Sequence, residues 1–257
     1  MCPLRGRDAL LREMMCGYRR VLFRPLGEVN AIPFGMRCEM NRSQGMNKAI
    51  IFDLDGTLWD ATGCSVDIWN RVFDKHKEVS IRMTQEISSS LMGKTMPEIG
   101  AALFPEMTEE ARMNIVDDFG EEEVRYLFEH GAVLYDGVEE TLSALEQNYD
   151  LYIVSNCQDG YVPAFLHAHK LERHFKDIEM SGRTGMDKGR NIQLIMERNG
   201  IGDAVYVGDT EGDESAARYA GIPFIWAAYG FGRAKAPDKT IHSIKELMYM
   251  QEYPNGV

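Results

Sequence analysis

Residues 48–60 read KAIIFDLDGTLWD. The apolar, β-branched run at 48–52 reads as a buried strand. It runs into two acids two positions apart, Asp53 and Asp55, followed by Gly56 and Thr57. Carboxylates at the end of a core strand repel one another and are costly to desolvate. A chain that keeps them there needs a cation close by, or chemistry that uses both. In an extended segment, positions i and i+2 face the same side, so the two acids point into one space. A solvated Asp-Gly turn is the bland alternative. It accounts neither for the apolar strand in front nor for the polar strand ends further along the chain.

Those further strands are LYIVS (151–155), AVYVG (204–208) and IPFIWAA (222–228), with IEMSG (178–182) a weaker candidate. None alternates cleanly, which predicts strands covered on both faces, as in a parallel sheet. Helical periodicity lies between them, at 138–148, 161–171, 191–200 and 213–221. Strands alternating with helices predict an α/β fold with an open, Rossmann-like sheet. The interval 61–134 breaks the rhythm. It carries helical patterns at 65–76, 95–103 and 121–131 and no convincing strand. This predicts a helical cap (61–134) inserted after the first strand, with 46–60 and 135–257 forming the core.

Composition narrows the function classes. The formal net charge is −12 over 257 residues. Such acidity disfavours nucleic acid and anionic membranes as partners, and no apolar stretch approaches transmembrane length. The five cysteines form no CxxC pair, so a disulfide framework or zinc site is not expected, and a reducing, cytoplasmic setting fits. Residues 1–45 differ from the rest: eight arginines against four acids give +4, leaving −16 for the remainder. This segment reads as an N-terminal extension outside the core, with Met46 as the expected natural start.

In open α/β sheets, ligands bind beyond the carboxyl ends of the strands. The residues that end each predicted strand are therefore the candidate site. They are Asp53-Leu54-Asp55-Gly56-Thr57, then Ser155-Asn156, then Gly208-Asp209-Thr210-Glu211-Gly212-Asp213, with Lys188 just ahead of a helix. Each signal alone is weak. Ser155 and Asn156 are ordinary helix-cap residues, and Lys188 alone is a surface lysine.

Together and in this order, over roughly 46–235, they resemble the four motifs of the haloacid dehalogenase superfamily, in its phosphoglycolate phosphatase-like branch. Asp53-Leu54-Asp55-Gly56-Thr57 is similar to the DxDGT motif, Ser155 to the second, Lys188 to the third and Asp209…Asp213 to the GDxxxD fourth. Two departures stand out: Gly189 follows Lys188 where the family often has Pro, and Tyr135-Asp136-Gly137 replaces the commoner Pro-Gly.

The resemblance implies a Mg²⁺-dependent phosphatase acting on a small phosphorylated metabolite, as a monomer or homodimer. Asp53 would be the nucleophile, forming an aspartyl-phosphate, and Asp55 the general acid and base. Asp53 and Asp209 would ligate Mg²⁺ through side chains and Asp55 through its carbonyl, with Asp213 close by. Ser155, Asn156, Lys188 and the Gly56 turn would hold the phosphoryl oxygens, and Thr57 would satisfy backbone groups of that turn. Lys94 and Trp59 are candidate substrate contacts. Two rivals remain: a phosphomutase of the β-phosphoglucomutase type, which hands the phosphoryl group to a second hydroxyl, and a catalytically silent binding module. A dehalogenase fits less well, because that reaction has no role for Asp55.

Overall fold

A computed structural model describes residues 48–250. The expected extension, 1–45, and the expected start at Met46 lie outside the described residues. The first strand, β1 (Lys48–Phe52), is buried at every position but Lys48. It sits inside a six-stranded sheet of order β5-β4-β1-β6-β7-β8. The other strands are β4 (Asp150–Ser155), β5 (Phe175–Met180), β6 (Asp203–Gly208), β7 (Phe224–Ala227) and β8 (Lys239–Ile241). Every ladder is parallel, so all carboxyl ends share one edge. The chain passes from β1 outward through β4 to β5, then returns to the other side of β1 for β6, β7 and β8. That reversal of strand order opens a crevice beside β1.

The four main predicted strands form where expected. β5 begins earlier than the pattern IEMSG indicated and β8 was not foreseen; at three residues it is too short for a periodicity to register. Helices at Val138–Leu145, Tyr161–His169, Lys188–Asn199 and Glu211–Ala220 link the strands. Helix Lys188–Asn199 is capped by Asp187, whose carboxylate accepts the Arg190 N–H. On one side of the sheet, Ile51, Tyr152, Val154, Tyr206 and Phe224 pack against Ile192, Ile195 and Ala217 of the linking helices. Burying such aliphatic and aromatic side chains is the main favourable term in folding.

Between β1 and β4 the chain builds a helical layer: Thr62–Lys75, Gln85–Leu91, Met96–Leu103 and Glu109–His130. It has its own hydrophobic cluster, including Ile68, Trp69, Phe73, Phe104, Ile115 and Phe119. Trp69 and Phe119 stack with centroids 3.7 Å apart. The Glu98 carboxylate accepts from the N–H and hydroxyl of Thr95 at 2.8 Å each, and Asp60 Oδ1 accepts from the Thr62 N–H at 2.8 Å at the entry of the first helix. An antiparallel ribbon of β2 (Trp59–Asp60) and β3 (Val133–Leu134) ties the entry of this layer to its exit. The ribbon was not visible in the sequence, because two residues per strand carry no pattern.

Candidate active site

The Asp53 N–H donates to Val207 O at 2.8 Å, so the register between β1 and β6 fixes this residue at the sheet edge. Around it gather Ser155 from the end of β4, Asp209 just beyond β6, Asp213 from the next helix and Lys188 from the start of helix Lys188–Asn199. Lys188 donates to Asp53 Oδ1 at 2.9 Å and to Asp213 Oδ1 at 2.5 Å. Asp53, Lys188, Asp209 and Asp213 are all at least nineteen-twentieths buried. Four chain segments far apart in sequence thus meet at one point, as the motif order implied.

The fourth-motif helix explains how two of these acids are oriented. Asp213 Oδ2 accepts from the N–H groups of Asp209 and Thr210 and from the Thr210 hydroxyl, while the Thr210 Oγ1 caps the Asp213 N–H. Both Asp213 oxygens are therefore engaged by protein donors. Asp209 differs. Its Oδ2 accepts from the N–H groups of Phe231 at 2.7 Å and Gly232 at 3.1 Å, but its Oδ1 is buried and has no partner.

Three carboxylates, Asp53, Asp209 and Asp213, bring oxygens within 4.8 Å of one another, against a single ammonium. Burial, reinforced by the charge of Asp213, pushes Asp53 well above the usual carboxylate range. Burial likewise pushes Asp209 up to about 7, with Asp213 adding to it. Lys188 moves the other way from an ordinary buried lysine: burial opposes its charge, yet Asp213 and Asp53 hold its pKa well above normal. The net excess of two negative charges and the orphaned Asp209 oxygen fit a hard divalent cation such as Mg²⁺, which takes oxygen ligands.

Asp55 lines the same pocket but is held by other partners. Its Oδ1 accepts from the Tyr161 hydroxyl at 2.8 Å and from the Trp59 indole N–H at 2.9 Å. Burial pushes its carboxyl up to about 6, against the pull of those two donors. The second carboxylate of the motif is thus held by one oxygen, near the pH at which it can both give and take a proton.

Several predicted roles need correction. The Gly56 N–H donates to Trp59 O at 2.9 Å, so it is not free for a phosphoryl oxygen. What Gly56 supplies is space: its φ is +80°, and a Cβ there would lie 2.3 Å from Asp209 Oδ2. The Asn156 amide donates one hydrogen to Gly93 O and accepts from the Ser181 hydroxyl, each at 2.9 Å. It joins the sheet edge to the loop at 92–95 while also lining the pocket. Thr57 Oγ1 is buried with no partner; the contribution of this residue is its carbonyl, which accepts from the Tyr229 hydroxyl at 2.8 Å. Trp59 is fully buried among Tyr161, Phe165 and His169 and supports Asp55 instead of lining the pocket. Lys94 does line the pocket, as an exposed side chain.

A pocket lies over Asp53 and Asp55, partly open to solvent. Its floor includes Ser155 and Lys188, and its roof comes from the helical layer, including Trp69, Ser88, Phe119 and Glu123. Cys157 also lines it, but burial pushes its thiol pKa up, away from nucleophilic chemistry. Tyr161, Glu123 and Gln158 were missed by sequence reasoning. They sit on helices or a loop without motif spacing. The Gly230-Phe231-Gly232 loop, which holds Asp209, did leave a signal in its paired glycines after β7.

Comparison with known proteins decides the family. The family described as haloacid dehalogenase-like hydrolase matches residues 50–227, more than half of the chain. The chain belongs to that family. It resembles the phosphoglycolate phosphatase of Vibrio vulnificus strain YJ016, at 28% identity over 221 residues, covering 78% of this chain and 94% of the relative. The phosphoglycolate phosphatase of Escherichia coli K12 is 26% identical over 238 residues, covering 81% and 94%. These relatives place the chain in the phosphoglycolate phosphatase-like branch. Two solved structures share the fold. A haloacid dehalogenase-like family hydrolase from Streptococcus pneumoniae has a TM-score of 0.68 at 21% identity, covering 79% of this chain and 97% of that one. CbbY from Rhodobacter sphaeroides in complex with phosphate has a TM-score of 0.68 at 20% identity, covering 79% and 96%. No helix among the described residues is long and apolar enough to cross a membrane.

Proposed function

We propose that this haloacid dehalogenase-like phosphatase hydrolyses the monoester of a small phosphorylated metabolite through an aspartyl-phosphate on Asp53, with Mg²⁺ as cofactor. The observation that carries the reading is the meeting of Asp53, Lys188, Asp209 and Asp213 around one buried point, with Asp55 beside it but differently held. Asp53 and Asp209 would hold the metal by side-chain oxygens, and Asp55 by its carbonyl. The metal's contribution is to offset negative charge at the phosphoryl group.

Asp53 attacks phosphorus with its free electron pair while Asp55, protonated, gives its proton to the departing alkoxide. Asp55, now ionised, takes a proton from the water that attacks phosphorus next, which returns Asp53 and yields phosphate. One carboxyl serves both steps, because the proton it loses in the first it regains in the second. Lys188 neutralises Asp53 enough to let a dianionic ester approach, and Ser155 supplies a hydroxyl at the same floor. Asp213, with both oxygens engaged, positions Lys188 and the Asp209 backbone.

The helical layer reads as a cap that keeps bulk water from the ester, and the core as 46–60 with 135–257. Residues 1–45 are assigned no part in the reaction. Purified protein with Mg²⁺ should release phosphate from p-nitrophenyl phosphate, and EDTA or Asp53→Asn should abolish release. Absence of turnover on any of a broad panel of esters would sink the reading. The phosphoglycolate phosphatase relatives make 2-phosphoglycolate one ester in that panel.

A further inference from the structure

The pocket is lined beyond Asp53 and Lys188 by residues of the helical layer, and this upper wall has a character of its own. Glu123 projects from helix Glu109–His130 into this wall and is 5% exposed. Its carboxyl accepts from the Gln158 amide at 2.9 Å and pairs with the Ser65 hydroxyl. Two helices and a loop of the sheet edge therefore hold it in place. Ser88, from helix Gln85–Leu91, lines the same pocket at 1% exposure, and its hydroxyl has no partner. A buried hydroxyl without a partner is costly unless a ligand supplies one. Beside these groups the Trp69 and Phe119 rings, stacked at 7° to one another, give the wall an apolar face.

Cations are the other half of the argument. Among the described residues lining the pocket, Lys188 is committed to Asp53 and Asp213, and Lys94 is exposed on the loop at 92–95. The enclosed wall offers no guanidinium or ammonium to a second anion. A leaving group carrying its own carboxylate would sit beside Glu123 and Asp55 with only Lys94, solvent-exposed at the rim, as counter-charge. A neutral leaving group rich in hydroxyls meets none of this cost. Its hydroxyls both donate and accept, as Ser88 and a carboxyl group do, and its C–H surface packs on aromatic rings.

Accordingly, resting on the phosphatase reading above, we infer that the natural substrate is the phosphate monoester of a neutral sugar or polyol, whose hydroxyls are read by Glu123 and Ser88 against the Trp69–Phe119 face. Burial pushes the Glu123 carboxyl up to about 8, against the hydrogen bond from Gln158. At neutral pH it is thus a neutral group able both to donate and to accept.

The test uses the full chain with Mg²⁺ and compares kcat/KM for ribose 5-phosphate, erythritol 4-phosphate and sn-glycerol 3-phosphate with that for 2-phosphoglycolate and 3-phosphoglycerate. At least one neutral ester should exceed both carboxylated ones by tenfold or more. Ser88→Ala and Glu123→Ala should each lower the ratio of kcat/KM on that ester to kcat/KM on p-nitrophenyl phosphate by about tenfold, the worth of one lost hydrogen bond. Ser88→Ala removes one small group and keeps the test alive if Glu123→Ala fails to fold. Preference for a carboxylated ester, or unchanged ratios in a folded Ser88 variant, overturns the inference while leaving the phosphatase reading intact. No turnover on any ester, p-nitrophenyl phosphate included, overturns the phosphatase reading itself.

Discussion

Tyr161→Phe isolates the device that tunes Asp55. The Tyr161 hydroxyl and the Trp59 indole N–H both donate to one oxygen, Asp55 Oδ1. Both bonds favour the ionised carboxylate, so losing one raises the Asp55 pKa from its value of about 6. A hydrogen bond to a charged acceptor contributes about 1.5–3 kcal/mol. Trp59 remains as a donor to the same atom, so the lower end applies, which corresponds to about one pH unit. The metal is common to both proteins and cancels in the difference. The assay is the pH profile of kcat/KM on an alkyl phosphate, whose poor leaving group needs the proton from Asp55. Activity falls on the alkaline side as Asp55 ionises, and in the variant that limb should move up by about one unit. The acid limb of kcat, where ionised Asp55 must activate water, should move up with it. Phe keeps the buried ring and its packing on Trp59, so the fold is retained. An unmoved alkaline limb, or one displaced to lower pH, would refute the reasoning.

Two further outcomes follow from the same geometry. Gly56→Ala forces a left-handed residue, costing about 1–2 kcal/mol, and puts a methyl 2.3 Å from Asp209 Oδ2. Its Tm should fall by about 2–8 °C for a protein of this size, and Mg²⁺ should activate it only at higher concentration. The metal-free protein should also lose stability as pH rises. Asp53 and Asp209 have folded pKa values raised above their unfolded ones. The folded state therefore binds more protons between about pH 4 and pH 7, and stability falls across that window. Thermal scans with EDTA should show Tm dropping from pH 5 to 7.5, with Mg²⁺ restoring more at 7.5 than at 5; the opposite trend would count against the metal assignment.

What the sequence made legible was chemistry attached to strand ends. Asp53, Ser155 and Asp209 each sit at or just past the end of a strand run, and parallel strands necessarily bring such ends to one edge, where Lys188 arrives at the start of its helix. What stayed hidden was who touches whom. Trp59 is an indole just past a turn, and only the packed structure shows its N–H aimed at Asp55 rather than at substrate. The Gly56 N–H is a competent donor, but the carbonyl of Trp59 uses it first. Tyr161 and Glu123 occupy helix positions whose spacing predicts packing, and their approach to the pocket depends on how helices from different parts of the chain meet. The β2–β3 ribbon and β8 are too short to show a period at all.

The most direct test of the central claim is chemical trapping of the phosphorylated carboxylate during turnover. Enzyme with Mg²⁺ and substrate is acid-quenched, reduced with borohydride, digested and sequenced by mass spectrometry. An acyl phosphate at Asp53 is reduced to homoserine, so residue 53 should show that conversion in proportion to steady-state intermediate, and Asp55→Asn should change its amount. Homoserine at another acid, or none at residue 53 while phosphate is being released, would contradict the account.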